Sequence, residues 1–168
     1  PGGRRFGRAI LPSGDFVPLD SIAVVGDDLR FWGGSEAEAR PAGFMHRHAQ
    51  LFGAGTTARL RRLSAAVIGC SGTGSPVVEM LARLGVGRLV LIDPDRVEEK
   101  NLNRILNATR EDAELNRTKV DVMARAIARM GFGTEVLPLA ENLANPRAVR
   151  TVAECDVVFG CMDSIEGR

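Results

Sequence analysis

The chain has 168 residues, of which 45% are hydrophobic, and its formal net charge is +1. This length suits one domain with a short appendage, and the composition is sufficient for a buried core. A net charge so close to zero gives no electrostatic reason to expect nucleic acid or an anionic membrane surface as a partner. No apolar run approaches the roughly 18 residues of a membrane span, so we expect no membrane partner.

The cysteine content points to a reducing compartment. Cys70, Cys155 and Cys161 are too few for a disulfide framework, and their spacing forms no CxxC zinc pair. The first four residues do not read as a signal peptide, and the chain does not begin with Met. We therefore expect a fragment of a longer cytoplasmic protein.

Residues 1–43 are rich in Gly, Pro and Arg and read as an incomplete unit. The pattern predicts one strand at Ser21–Gly26 and a turn at Phe31–Gly34. We interpret this stretch as an N-terminal arm, or as the tail of a preceding domain, ahead of a domain at residues 44–168. That domain begins with a helical pattern that is broken at Gly53–Gly55.

From residue 65 onward, apolar runs alternate with helical periodicity. Ser75 is a plausible N-cap of the first of these helices, with Pro76 at its first helical position. The alternation predicts an α/β fold, a Rossmann-like, doubly wound and mainly parallel sheet with flanking helices, cut after its fourth strand. The predicted strands are Ala65–Ile68, Arg88–Asp93, Thr134–Leu139 and Asp156–Cys161, and the helices are 75–84, 120–130 and 146–154.

A glycine-rich loop joins the first of these strands to its helix. Glycines let the backbone turn sharply and approach a ligand, while the free N–H groups at a helix start attract phosphate. The loop, Asp93 and Asp163 all fall at carboxyl ends of predicted strands, where sheets of this kind bind ligands. The sequence therefore predicts a nucleotide-phosphate site that includes Gly69, Ser71, Gly72 and Gly74.

The loop alone does not distinguish ATP from NAD. A dinucleotide fingerprint would fall on Gly69, Ser71 and Gly74, with Ser at its middle position, and Asp93 would bind a ribose in either case. An NAD-dependent oxidoreductase is therefore an open alternative.

The polar residues further along the chain favour a triphosphate. A triphosphate site needs cations for the phosphates and a carboxylate for Mg²⁺, whereas a hydride-transfer enzyme needs no cluster of cations. Arg104 offers a planar fork for phosphate oxygens, and Lys119, at a helix start, offers a compact charge.

Five segments together resemble the adenylyltransferase family of the ThiF, MoeB and HesA type, which includes ubiquitin-activating enzymes and their bacterial relatives for sulfur carriers. The most specific is the string Gly-Val-Gly, Ile-Asp-Pro-Asp and Asn-Leu-Asn-Arg between residues 85 and 104. The segments are 67–75, 84–95, 97–104, 118–120 and 161–163.

The resemblance implies a role for each matched residue. Backbone N–H groups around Gly72 would bind the α-phosphate, Asp93 the ribose hydroxyls, and Asp163 the Mg²⁺ ion. Arg47 resembles an arginine that reaches across a dimer interface to the γ-phosphate. The residues that would bind ATP are Gly69, Ser71, Gly72, Gly74, Asp93, Asp95, Asn101, Arg104 and Lys119, and the catalytic ones are Arg104, Lys119, Asp163 and Arg47.

The implied reaction is attack by the C-terminal glycine carboxylate of a ubiquitin-like or sulfur-carrier protein on ATP, which gives an acyl-adenylate and pyrophosphate. The resemblance also implies a homodimer. A non-catalytic partner subunit of an activating-enzyme heterodimer is a further alternative. Residues Gly7–Phe31 resemble the closing strand of the metalloprotease-like domains that precede some such adenylyltransferases.

Overall fold

The computed structural model describes residues 7–19, 21–24, 30–33 and 43–162. The chain divides into two compact units, Pro1–Arg40 and Pro41–Arg168. The functional identity of each unit stays a prediction.

The first unit contains two antiparallel hairpins. One joins β1 (Arg8–Ile10) to β2 (Phe16–Pro18), and the other joins β3 (Ser21–Val24) to β4 (Arg30–Gly33). The strand predicted near residue 21 is therefore present, and the end predicted for it at Gly26 lies outside the described residues.

The turn predicted at Phe31–Gly34 is wrong over its described part. Phe31 pairs with Ala23 and Trp32 with Ile22 in the ladder of the second hairpin. Aromatic residues favour strands, and here this preference outweighs the turn signal of the glycines that follow. The resemblance of this segment to a metalloprotease strand stays a prediction.

The second unit alternates helices with strands. A short 3-10 turn at Gly43–Met45 leads into two helices that are separated at Gly53, whose φ of 84° breaks the helix where the sequence predicts it. The elements in order are α1 (His46–Phe52), α2 (Ala54–Arg62), β5 (Ser64–Ile68), α3 (Gly74–Leu84), β6 (Arg88–Ile92), α4 (Arg110–Glu114), α5 (Lys119–Met130), β7 (Glu135–Leu139), α6 (Pro146–Ala153) and β8 (Val157–Gly160).

The four strands of this unit form one parallel sheet in the order β7-β6-β5-β8. The chain moves outward from β5 to β6 and β7 and then returns to the other side of β5. Because parallel crossovers are right-handed, this reversal puts the later connection on the opposite face of the sheet. The predicted doubly wound α/β fold is confirmed, with the switch point between β5 and β8.

The core lies on both faces of the central strands. In β5 and β6 every residue after the first is buried, as expected for strands covered on both sides. On one face, Ala66, Ile68, Val90 and Ile92 pack with Ala148 of α6. None of the helices in the described part of the chain is long and apolar enough to cross a membrane.

The first turn of α3 differs from the prediction. The helix begins at Gly74, so Ser75 is not its N-cap but lies inside the first turn, fully buried. The Ser75 hydroxyl instead accepts a hydrogen bond from the backbone N–H of Leu106 at 3.0 Å. The other predicted boundaries are close to those observed, since Gly85 and Gly131 end α3 and α5 with positive φ.

Candidate functional site

A cleft of about 900 Å³ lies at the carboxyl ends of the four parallel strands. Each strand contributes to its lining through the residues that follow it: Gly69 after β5, Asp93 after β6, Asn142 after β7 and Cys161 after β8. Small-molecule pockets have volumes of roughly 300 to 1,000 Å³, so the cleft can hold a nucleotide. The remaining lining residues are Ile68, Ser71, Gly72, Thr73, Ile92, Pro94, Asp95, Glu98, Lys100, Asn101, Arg104, Lys119, Leu143, Ala144 and Met162.

The glycine-rich loop forms the floor of the cleft, and two of its positions require glycine. Gly69 has a φ of +90°, and a Cβ there would lie 2.8 Å from the carbonyl oxygen of Cys161. A Cβ on Gly74 would collide with the carbonyl oxygen of Gly69. The loop is therefore folded tightly against the strand ends, and it leads directly into the N-terminus of α3, where backbone N–H groups favour an anion.

Asp93 joins the loop to the next strand end. Its side chain is 6% exposed, and its two oxygens accept hydrogen bonds from the backbone N–H groups of Cys70 (2.7 Å) and Asp95 (2.9 Å). Each carboxylate oxygen has a second lone pair, which is available to a ligand hydroxyl. Asp93 thus fixes two loops and still lines the cleft, as the predicted ribose ligand requires.

Lys119 begins α5 beside these carboxylates. The side chain of Thr118 caps the helix by accepting a hydrogen bond from the N–H of Asp121, which places Lys119 at the first helical position. The Lys119 side chain is 7% exposed, and its Nζ lies 2.6 Å from Asp95 and 3.9 Å from Asp93. In this structure Lys119 is therefore neutralised by carboxylates of the same chain.

Asn101 and Arg104 lie in the polar segment between β6 and α5. Asn101 is 3% exposed and ends a 3-10 turn at Glu99–Asn101, where its Oδ1 accepts a hydrogen bond from the N–H of Glu98. Its side-chain amide hydrogens remain as the donors it can offer. The guanidinium of Arg104 donates to the carbonyl oxygen of Lys100 at 3.0 Å.

The structure brings together nearly all of the predicted nucleotide residues. All of those in the described part of the chain line the cleft except Gly74, which packs against the carbonyl group of Gly69 in the same loop. Arg47 is exposed on α1 and does not line the cleft of its own chain. Asp163, the predicted magnesium ligand, lies outside the described residues. The roles of these residues stay predictions.

The lining residues that were not predicted from the sequence include Glu98, Lys100, Asn142, Leu143 and Ala144. The last three follow β7, and the rule that ligands bind beyond the carboxyl ends of strands could have found them. Glu98 and Lys100 form an ion pair of 2.8 Å at the rim, with side chains that are 58% and 71% exposed. No spacing pattern in the sequence distinguishes them from ordinary surface charges.

The cysteines near the cleft are not activated. Cys70 is fully buried, and burial is the largest cause of a strong rise in the pKa of its thiol. Burial also raises the pKa of the Cys161 thiol. Both therefore stay protonated at neutral pH, as expected for packing residues and not for nucleophiles.

The described residues contain no group of three or more His, Cys, Asp or Glu side chains that could hold a metal ion. A magnesium ion needs no such group, because Mg²⁺ is commonly held by one or two carboxylates together with the phosphates of a nucleotide. The predicted magnesium ligand, Asp163, follows the cleft residue Met162 directly in the chain, and its role stays a prediction.

Comparison with known proteins identifies relatives of the second unit. Residues 45–168 match the sequence profile of the ThiF family. The chain is 36% identical over 110 residues to the adenylyltransferase and sulfurtransferase MOCS3 of Sus scrofa, which covers 66% of this chain and 24% of that protein. It is 30% identical over 126 residues to ubiquitin-like modifier-activating enzyme 5 of Arabidopsis thaliana, over 66% of this chain and 28% of that protein.

A solved structure is similar as well. The E. coli tRNA N6-threonylcarbamoyladenosine dehydratase TcdA, crystallised in complex with ATP, superposes with a TM-score of 0.62 at 29% identity. The match covers 70% of this chain and 48% of that one. The chain thus spans about a quarter of the length of the two curated relatives and about half of this structural neighbour.

Proposed function

Because the chain belongs to the ThiF family, we propose that its second unit binds ATP with Mg²⁺ and adenylates the C-terminal glycine carboxylate of a ubiquitin-like or sulfur-carrier protein. The products are an acyl-adenylate and pyrophosphate. One observation carries this proposal: the loop before α3, Asp93, Arg104 and Lys119 meet in a single cleft at the switch point of the sheet. The names of the relatives support the same chemistry.

The cleft offers a suitable partner to each part of ATP. The phosphates would lie over Gly72 at the N-terminus of α3, with Arg104 and Lys119 beside them, and the ribose would lie at Asp93. Ile92 and Leu143 give an apolar surface for the base. NAD carries a diphosphate bridge and no triphosphate, so an NAD-dependent oxidoreductase would have less need of the cations of the cleft.

The reaction needs positioning and charge neutralisation more than acid–base chemistry. The attacking carboxylate is already ionised at neutral pH, so no general base is required. Arg104 and Lys119 would bind the phosphate oxygens on which negative charge develops as pyrophosphate leaves. Lys119 would exchange Asp95 for a phosphate oxygen when ATP binds. Mg²⁺, held by Asp163, would supply further neutralisation of the phosphates.

Arg47 would act in the cleft of a second subunit. Since Arg47 does not line the cleft of its own chain, it can contribute only to the site of a partner. We therefore propose a homodimer in which each Arg47 binds the γ-phosphate held by the opposite subunit. A cytoplasmic location stays part of this proposal.

Calorimetric titration of the chain with Mg·ATP and with NAD tests the nucleotide. We expect Mg·ATP to bind, and we expect Arg104→Ala to weaken it at least about tenfold, which corresponds to ~1.4 kcal/mol. Arg110→Ala is the matched control, because Arg110 is an exposed arginine of the next helix that pairs with Glu99 outside the cleft. Binding of NAD alone would reverse the assignment.

The activity itself is tested by ATP–pyrophosphate exchange with candidate carrier proteins, measured on this chain and on any longer protein that contains it. Exchange that depends on the carrier and falls sharply in Arg104→Ala and Asp163→Ala is the expected result. Binding of ATP and carrier with no exchange would instead identify a non-catalytic partner subunit.

A further inference from the structure

Helix α3 makes two side-chain hydrogen bonds to the segment that carries Arg104. Ser75 and Glu79 are four residues apart and therefore share one face of the helix. The Ser75 hydroxyl accepts a hydrogen bond from the N–H of Leu106 at 3.0 Å, and Glu79 Oε2 accepts one from the side-chain amide of Asn107 at 2.8 Å. We call these two side chains, Ser75 and Glu79, the α3 anchor.

The backbone held by the anchor needs support. Asn107 has a φ of 65°, in the left-handed region that residues other than glycine adopt at a cost. Ser75 is fully buried, so its hydroxyl needs a hydrogen-bond partner inside the protein, and Ser75 is not the N-cap of α3. Both bonds therefore determine where the chain runs just after Arg104.

Arg104 itself lies against the phosphate loop. A Cβ on Gly72 would come 3.3 Å from Cδ of Arg104, which means that the aliphatic part of the arginine packs on the loop backbone. Its guanidinium donates to the carbonyl oxygen of Lys100 at 3.0 Å and lines the cleft. Arg104 is thus fixed from the loop side and, through residues 106 and 107, from α3.

We propose that Ser75 and Glu79 are positioning residues that hold Arg104 over the phosphate loop. The helix whose N-terminus favours the phosphate would then also set the place of the cation that binds it. This inference rests on the proposed function, because it gives the anchor a role in ATP binding beyond local stability.

The charge of Glu79 strengthens its bond to Asn107. Hydrogen bonds from Asn107 and Arg83 hold the pKa of Glu79 below its ordinary value. Glu79 is therefore ionised at neutral pH, and hydrogen bonds to an ionised acceptor are shorter and stronger than neutral ones.

The decisive test is the affinity of the chain for Mg·ATP in variants of the Glu79–Asn107 pair. Asn107→Asp places two carboxylates against each other, and we expect the dissociation constant to rise roughly three- to tenfold. Adding Glu79→Gln reverses the direction of the hydrogen bond, because Gln can donate to Asp, and should restore the affinity to within about twofold. Arg83→Gln is the matched control. It removes the ion pair between the exposed Arg83 side chain and Glu79, which are 2.8 Å apart, and it should leave the affinity for Mg·ATP unchanged.

Dependence on Arg104 separates positioning from a merely structural role. In an Arg104→Ala background, Asn107→Asp should no longer weaken ATP binding, because the group that the anchor positions is absent. An equal loss in both backgrounds would overturn the inference. If Arg104→Ala alone leaves ATP binding intact, Arg104 has no role to position and the inference also fails. If the unchanged chain binds NAD and no Mg·ATP, the proposed function fails instead, so the two failures are distinguishable.

Ser75→Ala gives a second, independent test of the positioning role. It should speed hydrogen exchange at the Leu106 amide and weaken Mg·ATP binding roughly two- to tenfold, again only when Arg104 is present. Faster exchange with unchanged affinity would contradict the positioning role of Ser75. If this buried variant fails to fold, the more exposed Glu79–Asn107 pair decides the question.

Discussion

The carboxylate of Asp93 is the buried polar group on which the geometry of the cleft most depends. Its two oxygens accept the N–H groups of Cys70 and Asp95, from two different loops, and Lys119 lies 3.9 Å away. Asp93→Asn keeps the shape of the side chain but removes its charge and replaces one acceptor oxygen by an NH₂ donor. The amide oxygen can still accept one N–H, but the amide nitrogen is a donor and cannot accept the other.

The expected cost follows from these bonds. One buried donor loses its partner, which costs about 1–3 kcal/mol, and the surviving hydrogen bond becomes a neutral one, which loses about 1 kcal/mol more. We therefore expect Asp93→Asn to lower the free energy of unfolding by about 2–4 kcal/mol. That is a large part of the roughly 5–15 kcal/mol that stabilises a typical domain.

Asp95→Asn is the matched control. Asp95 also has a carboxylate beside Lys119, at 2.6 Å, but its side chain is 64% exposed. Lys119 is buried, but in this variant it keeps Asp93 at 3.9 Å, and the amide oxygen of Asn can still accept its hydrogen bond, so we expect a loss of only about 1 kcal/mol. Urea denaturation followed by circular dichroism measures both values under the same conditions. Equal stability of the two variants would refute the argument that Asp93 acts as the acceptor between the loops.

Three further predictions concern the loop, the thiols and pH. Gly74→Ala should abolish Mg·ATP binding and destabilise the fold, because the added methyl group collides with a backbone carbonyl of the same loop; calorimetry and thermal unfolding measure the two effects. Maleimide labelling followed by mass spectrometry should modify Cys161 slowly in the native chain, with protection by ATP, and Cys70 only after unfolding, since Cys70 is fully buried. Burial alone would raise the pKa of Asp112, but hydrogen bonds that include one from Arg117 at 2.6 Å outweigh it and lower the pKa. A lowered pKa stabilises the fold above the pKa of the unfolded chain, so the stability difference between wild type and Asp112→Asn should be constant near neutral pH and shrink as the pH falls below about 3.9.

The sequence allowed the prediction of those features that depend on local pattern. The apolar runs of β5 and β6, bounded by glycine and proline, correspond to strands buried on both faces. Once the strands are known, the rule for their carboxyl ends places the loop and Asp93 in one cleft.

Features that depend on tertiary packing were not predicted. The sequence predicted Ser75 to be a helix cap, yet its hydroxyl accepts a hydrogen bond from the N–H of Leu106, some thirty residues further along the chain. Phe31 and Trp32 were assigned to a turn because of the neighbouring glycines, although they pair with β3. For Ser75 the deciding partner is distant in sequence, and local propensity carries no information about it. For Phe31 and Trp32 the paired strand is close in sequence, and the strand preference of aromatic residues was given less weight than the neighbouring glycines.

Under the proposed function, the charges of the cleft also give a reason why the placement of one arginine should matter most. Both lysines that line it are paired with carboxylates of the chain, Lys119 with Asp95 at 2.6 Å and Lys100 with Glu98 at 2.8 Å. A phosphate that binds either lysine must displace a charged partner, so part of the interaction energy is lost in the exchange. Arg104 donates instead to a backbone carbonyl, a neutral acceptor that competes only weakly with a phosphate. Under the proposed function, Arg104 would therefore be the cation that binds an incoming nucleotide at the least cost, and its affinity for phosphate would depend on how firmly the surrounding backbone holds it.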